Sequence, residues 1–308
     1  MTDWVPPRLG SDLSRRFEAM WRGQQPIDEN EGLLRVAVAH QIAAPIADRA
    51  VKRGATLAQA WAERLEAVRA QNLIMGMAAA ELAKHFDACG GPWLIARGVS
   101  RLDDGLIGER TAGDLDLYVS PGEWPEWEAH LLELPGMVRN ETTGEFNRST
   151  RHFRFERGAM TVEVDLHLAV SPFHAIGDPL LNGVLERRRR NGRGLWVPSL
   201  EDDYGLALVE ALIEAPANRL RRLWELEILA QRLSAGQRQR MRRRFGLRRW
   251  AEPLPRQIFD SLQGRLVMRH RHQLMVRYGG LLALILGSRH PVAQTWSSVG
   301  MMLECFRR

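Results

Sequence analysis

Asp114-Leu115-Asp116-Leu117-Tyr118-Val119 and, further along the chain, Thr161-Val162-Glu163-Val164-Asp165-Leu166-His167 both alternate polar and apolar residues. Alternation at a period of two marks a half-buried strand. Residues two apart on a strand point to the same face, roughly 6.5–7 Å from one another along the chain. Asp114 and Asp116 therefore share one face, with Leu115 and Leu117 on the other. Glu163, Asp165 and His167 likewise share a face, opposed by Val162, Val164 and Leu166. If the two strands are neighbours, these carboxylates converge on one patch. Like charges that close are unfavourable unless something offsets them, and a divalent cation with oxygen ligands is the usual answer. The plainer alternative is a set of polar residues on the wet face of a one-sided sheet.

Working outward, Trp93-Leu94-Ile95-Ala96 is a short apolar run ending near Gly98 and reads as a buried strand. His152-Phe153-Arg154-Phe155 alternates too, and with residues 161–167 it flanks Arg157-Gly158-Ala159, which predicts a β-hairpin. Trp124 to Leu134 predicts a helix with Pro125 in its first turn. Leu57, Trp61, Leu65, Val68, Met75 and Leu82 recur at helical spacing, and that pattern stops at Gly90-Gly91-Pro92. After Pro172 the chain reads as irregular and arginine-rich through Arg187 to Arg190. Helices resume at Pro198, where Ser199 is a capping residue and Leu206, Val209, Leu212 and Ile213 form an apolar face closed by Pro216. Arg219 to Leu233 predicts a further helix, and the remainder reads as helical. The expected fold is α+β: a small mixed sheet in residues 89–197, between an N-terminal helical region over 1–88 and a C-terminal helical domain over 198–308.

Composition narrows the function classes. Of 308 residues, 45% are hydrophobic and 26% charged, which fits a folded chain and excludes global disorder. Two cysteines, Cys89 and Cys305, exclude a disulfide scaffold and a cysteine-only zinc cluster. The apolar run Leu281 to Leu286 is far short of the roughly 20 residues that cross a bilayer. No membrane partner is expected, and with no charged-then-apolar segment opening the chain the expected location is the cytoplasm. The net charge of +6 invites a nucleic-acid reading, but lysine occurs only at Lys52 and Lys84 and arginine supplies the rest. Phosphate-backbone binders usually mix both, so basicity alone carries little weight. The runs at Arg187 to Arg190 and Arg238 to Arg244 read as solvated faces, with an acidic substrate or tRNA as the alternative.

Two carboxylates on one strand and a third on another suit a pair of Mg²⁺ ions that organise a nucleoside triphosphate for in-line displacement. In that scheme Asp114 and Asp116 hold both ions. Asp165 binds the ion beside the attacking hydroxyl, lowering its pKa or accepting its proton. Arg97-Gly98-Val99-Ser100 follows the first strand, and there Gly98 permits close backbone approach while N–H groups and Ser100 cradle phosphate oxygens. Arg97 or Arg110 would neutralise the triphosphate as chemistry proceeds. His167 has three readings: it orders Asp165, contacts a phosphate, or is simply a hydrogen-bonded strand-end residue. His152 faces the same choice.

This order of motifs resembles the nucleotidyltransferase superfamily that includes DNA polymerase β and the aminoglycoside nucleotidyltransferases. More closely, it resembles a bacterial family of uncharacterised nucleotidyltransferases. Members of that family have a lysine-glycine step closing the first strand, an arginine four residues before Asp-x-Asp, and a later acidic-x-Asp-x-His strand. The matching positions here are Arg97-Gly98, Arg110 before Asp114-Leu115-Asp116 with Gly113 preceding them, and Glu163-Val164-Asp165-Leu166-His167. Pro198 to Asp202 and Leu223 to Glu227 are similar to the family's C-terminal helices, so the likeness spans about residues 65–235. Arg97 replaces the lysine, Val99 separates the glycine from the serine, and Glu225 or Glu227 stands where an aspartate is expected. The resemblance implies a Mg²⁺-dependent transferase that moves an NMP from an NTP, ATP among them, to the hydroxyl of a small molecule, protein or RNA. An inactive nucleotide-binding scaffold and an arginine-rich nucleic-acid-binding protein are the alternatives.

Overall fold

The computed structural model of the protein describes residues 15–17, 19–20, 27, 30–39, 41–102, 109–140, 149–170, 179–213 and 220–245, excepting the side chains of residues 212, 213, 220 and 223. Pro172, Pro216, Arg219, the reading of 246–308 as helical, the Leu281 to Leu286 run and Cys305 lie outside these residues, as do the side chains of Leu212 and Ile213. The fold is α+β, a mixed five-stranded sheet flanked by helices.

Helices α1 (Glu31–Ala39) and α2 (Ala43–Lys52) lead into the long α3 (Gln59–Ala88). Trp61, Leu65, Val68, Met75, Leu82 and Phe86 form the buried stripe of α3, as their spacing predicts. The helix ends where Gly90, at φ +77°, takes a left-handed conformation open to glycine. Strand β1 (Trp93–Ala96) follows, then a 3₁₀ turn at Val99–Arg101, β2 (Asp114–Val119) and α4 (Trp124–Glu133). Three more strands complete the sheet: β3 (Met137–Arg139), β4 (Thr150–Arg157) and β5 (Met160–His167).

The spatial order is β1-β2-β5-β4-β3. Strands β2 and β5 pair in parallel, and every other neighbouring pair is antiparallel. The β4–β5 hairpin turns at Gly158, φ +58°. Because side chains alternate, the register sends Ile95, Leu115, Leu117, Phe153, Val164 and Leu166 to one face. There they bury against the second half of α3 and against Trp127 and Leu131 of α4. Phe86 packs edge-on to Trp93 and Trp127, with ring centroids 5.3 and 5.9 Å away.

The opposite face holds Leu94, Ala96 and Tyr118 toward a second apolar cluster, built with α2, the first half of α3 and the C-terminal helices. Those helices are α5 (Pro179–Glu186), α6 (Leu200–Ile213), α7 (Leu220–Gln231) and α8 (Ala235–Arg244). Between α5 and α6 lies a two-stranded ribbon of β6 (Arg189–Arg190) and β7 (Trp196–Val197). Over the described residues 179–190 the expectation of irregular chain fails. Leu181, Val184 and Leu185 recur at helical spacing and are buried. The arginine run is partly exposed, with Arg190 at the surface, but the side chains of Arg187, Arg188 and Arg190 are tied down by partners. Arg187 makes two hydrogen bonds to Asp202, at 2.8 and 2.9 Å. Arg188 and Arg190 lie over the Trp196 ring, 4.5 and 4.2 Å from its centroid, and Arg190 bonds Asp87 at 3.0 Å. An indole face and two carboxylates hold these side chains at the protein surface.

Candidate active site

The parallel pairing of β2 with β5 sets Asp114 beside Glu163, Asp116 beside Asp165, and Tyr118 beside His167. On the far side of β5, antiparallel β4 sets His152 against Asp165 and Thr150 against His167. All of these side chains rise from one sheet face. Ligand atoms of Asp116, Asp165 and His167 lie within 4.8 Å of one another, close enough to bind one cation together. The chemistry of that donor set, two carboxylates and an imidazole, fits a divalent ion. Asp114 sits two residues before Asp116 on the same face, at the start of β2.

Charge at this face is strongly uneven. Asp116, 3% exposed, accepts hydrogen bonds at Oδ1 from Arg97 Nη1 and His167 Nε2, both at 2.8 Å. Burial alone would raise its carboxyl, but the Arg97 guanidinium and the His167 hydrogen bond outweigh that and hold it well below the usual carboxylate range. Asp114 behaves oppositely. The neighbouring Asp116 charge, partial burial and Asp165 push it up to about 6. Asp165 accepts from His152 Nδ1 at 2.7 Å, and that bond raises the imidazole pKa. Asp116 and Asp165 thus each have Oδ1 tied to an imidazole, while Oδ2 carries no hydrogen bond among the described residues.

The turn after β1 lies against this patch. Arg97 adopts φ +60°, a left-handed conformation that costs a non-glycine residue about 1–2 kcal/mol. The reversal carries its side chain over Asp116 and onto Glu210 of α6, with which its Nε pairs. A methyl on Gly98 would stand 3.4 Å from both the Ala112 Cβ and the Asp114 carbonyl oxygen, so this turn runs directly beside the entry to β2. Ser100, which sequence reading assigned to phosphate, donates its hydroxyl to the Arg97 carbonyl at 2.9 Å and is buried. Arg110, assigned the same role, is 3% exposed and pairs with Glu225 at 3.0 Å. Asp114, Asp116, Asp165, Arg97 and Gly98 therefore gather at one place, while Ser100 and Arg110 are buried with the Arg97 carbonyl and Glu225 as partners.

What lies behind is a buried ion network. Arg101, 1% exposed, bonds Asp203 of α6 through Nε and Nη2 at 2.8–3.0 Å, and Glu225 of α7 through Nη1 at 2.5 Å. Arg222 pairs with Glu210 at 2.8 Å. Glu225 is fully buried, yet Arg110, Arg101 and Arg222 pull its carboxyl down to about 2. On the other flank, α3 holds the segment before β2. Asn72 Oδ1 accepts from the Ala112 N–H at 3.2 Å, and Gln71 Nε2 donates to the Ala112 carbonyl at 2.8 Å. Sequence reading singled out neither Arg101, Asp203, Glu210, Gln71 nor Asn72. The available signal was Glu210 itself, a lone acid in the apolar run Leu206-Ala207-Leu208-Val209-Glu210-Ala211.

Among the described residues no helix is long and apolar enough to cross a membrane. No curated protein matches the sequence. A family model described as an uncharacterised nucleotidyltransferase matches residues 27–254.

Proposed function

Because the chain belongs to this family of uncharacterised nucleotidyltransferases, we propose that it transfers a nucleoside monophosphate from an NTP to an acceptor hydroxyl at the Asp114, Asp116 and Asp165 face. The observation that carries this is the β2–β5 register, with Asp116 directly beside Asp165 on a common face and Asp114 two residues before Asp116. Carboxylates at that spacing, one buried and two partly buried, repel each other, and divalent cations relieve the repulsion. Mg²⁺ ions bound there, two in this scheme, would neutralise the triphosphate and the charge that develops during transfer.

The chain's own groups have separate tasks. Asp114, Asp116 and Asp165 would hold the ions, with Asp116 kept ionised by Arg97 and His167. Asp165 is held by His152 through Oδ1, which leaves Oδ2 to take the acceptor's proton as the acceptor oxygen attacks the α-phosphorus. The bond from that phosphorus to the bridging oxygen breaks, and pyrophosphate leaves with the electron pair. Arg97 faces the departing charge, and Gly98 keeps the backbone close to the phosphate chain. Ser100 and Arg110 support this loop from the buried side.

The test is transfer of label from each α-labelled NTP, with Mg²⁺ and a cell lysate as acceptor source, by wild type and Asp116→Ala. Labelled product that disappears in the variant supports the reading, whereas absence of Asp116-dependent transfer with every nucleotide refutes it. One observation favours a second reading, a nucleotide-binding scaffold without turnover: Arg97 already bonds the Asp116 oxygen. Calorimetric NTP binding without any transfer would select that reading.

A further inference from the structure

We infer that His167 Nε2 is a direct ligand of the cation held by Asp116 and Asp165, so that the site takes Mn²⁺ in preference to Mg²⁺. The inference rests on the cation site proposed above and adds a nitrogen donor to it. Three observations support it.

First, Nε2 lies 2.8 Å from Asp116 Oδ1, and a ring nitrogen of His167 falls with one oxygen of each aspartate inside a 4.8 Å span. Second, the ring has little freedom to turn away. It stacks on Tyr118, with centroids 4.6 Å apart and planes 16° off parallel, and it is 8% exposed. Third, its far nitrogen is held from outside the cluster: Nδ1 lies 3.3 Å from the Thr150 hydroxyl, which is itself buried.

That last contact survives the change of tautomer that ligation requires. While Nε2–H donates to Asp116, the Thr150 hydroxyl donates to Nδ1. When Nε2 gives its lone pair to an ion, the ring proton sits on Nδ1 and donates to the same hydroxyl oxygen, because a hydroxyl serves in both directions. A ligating histidine whose second nitrogen is fixed by a neighbour is the common arrangement around protein-bound metals. His152 lacks this arrangement. It meets Asp165 through Nδ1 and is the more exposed of the two.

Donor chemistry then separates Mn²⁺ from Mg²⁺. Carboxylate and water alone suit Mg²⁺, whereas an imidazole nitrogen favours first-row transition ions. Mn²⁺ accepts mixed nitrogen and oxygen ligands and still organises a triphosphate.

The experiment uses Mn²⁺ alone as probe on the full chain, without nucleotide or turnover. Binding is titrated by loss of the free Mn²⁺ signal, and pulsed electron paramagnetic resonance reads the ¹⁴N modulation of the bound ion. Wild type should show nitrogen modulation that changes when histidine is ¹⁵N-labelled. It should vanish in His167→Gln, persist in His152→Gln and accompany an at least tenfold (~10×) loss of Mn²⁺ affinity in His167→Gln, with Mg²⁺ binding nearly unchanged. Should His167→Gln fail to fold, His152→Gln on the ¹⁵N-labelled chain decides alone. Asp116-dependent Mn²⁺ binding without nitrogen modulation, or modulation lost in His152→Gln, overturns the His167 assignment but leaves the cation site standing. Mn²⁺ binding that is identical in wild type and Asp116→Asn removes the cation site, and the proposed transfer with it.

Discussion

Replacing Asp114 by asparagine should stabilise the metal-free protein at neutral pH while disabling the site. In the folded chain the Asp116 charge, burial and Asp165 move the Asp114 carboxyl from an ordinary value of 3.8 to about 6. The unfolded chain therefore releases this proton near pH 4, and the folded chain holds it until near pH 6. Between those values the folded state binds more protons than the unfolded state, so stability falls as pH rises and the full cost is present above pH 6. At 1.36 kcal/mol per pH decade the ceiling is about 3 kcal/mol. Solvent screening at this partly exposed carboxylate reduces it to about 2 kcal/mol. For a chain of 308 residues that is about 3 °C in melting temperature. Thermal unfolding followed by circular dichroism in EDTA, at pH 4.5 and pH 8, measures it. Asp114→Asn should melt above wild type at pH 8, the gap should shrink by more than half at pH 4.5, and added divalent cation should stabilise wild type more than the variant. A gap that does not depend on pH, or a variant that melts below wild type at pH 8 in EDTA, refutes the idea of carboxylates held together against their repulsion.

Arg101→Met should cost about 3–5 kcal/mol, because Asp203 and Glu225 are left buried without their guanidinium. Arg101→Lys should recover little, since one ammonium cannot reach both acids in a forked geometry; urea titration of both variants reads this. Asn72→Ala should cost about 1–3 kcal/mol by stranding the Ala112 N–H, and should lower kcat for transfer more than it raises KM. Gly205→Ala should cost about 1–3 kcal/mol because its methyl would collide with the Phe245 ring. Phe245→Leu in the same chain should return part of that, a coupling that a double-mutant cycle measures.

The strands that carry the acids were legible because alternation needs only a few consecutive residues to show itself. Asp114 and Asp116 lie on one face in the structure, and so do Glu163, Asp165 and His167. That these two faces are one face was not legible. It depends on β2 and β5 pairing in parallel across an intervening helix and two strands, a tertiary choice that no local pattern encodes. The α5 helix was missed because Asn182 and Gly183 interrupt a short apolar stretch flanked by arginines. Arg101 carried no signal either. In a chain whose basic residues are nearly all arginine, one more after a loop is indistinguishable until its partners, Asp203 and Glu225, arrive from helices a hundred or more residues away. Arg110 and Ser100 had the right neighbours in sequence, but their partners, Glu225 of α7 for Arg110 and the Arg97 carbonyl for Ser100, come from tertiary packing and from the turn's own geometry.

The route taken by the Arg101 guanidinium bears on how this protein can be altered as a whole. It leaves the turn beside the acids, passes inward and ends between α6 and α7, so the sheet half and the helical half are matched to each other charge by charge. Swapping in the helical half from a relative would transplant the acids without the bases they answer to, and each unmatched partner would sit in the dry interior. Recombination within this family should therefore favour exchanges that carry residues 97–116 and 200–225 together, and a library of chimeras would reveal the two segments as a single inherited unit.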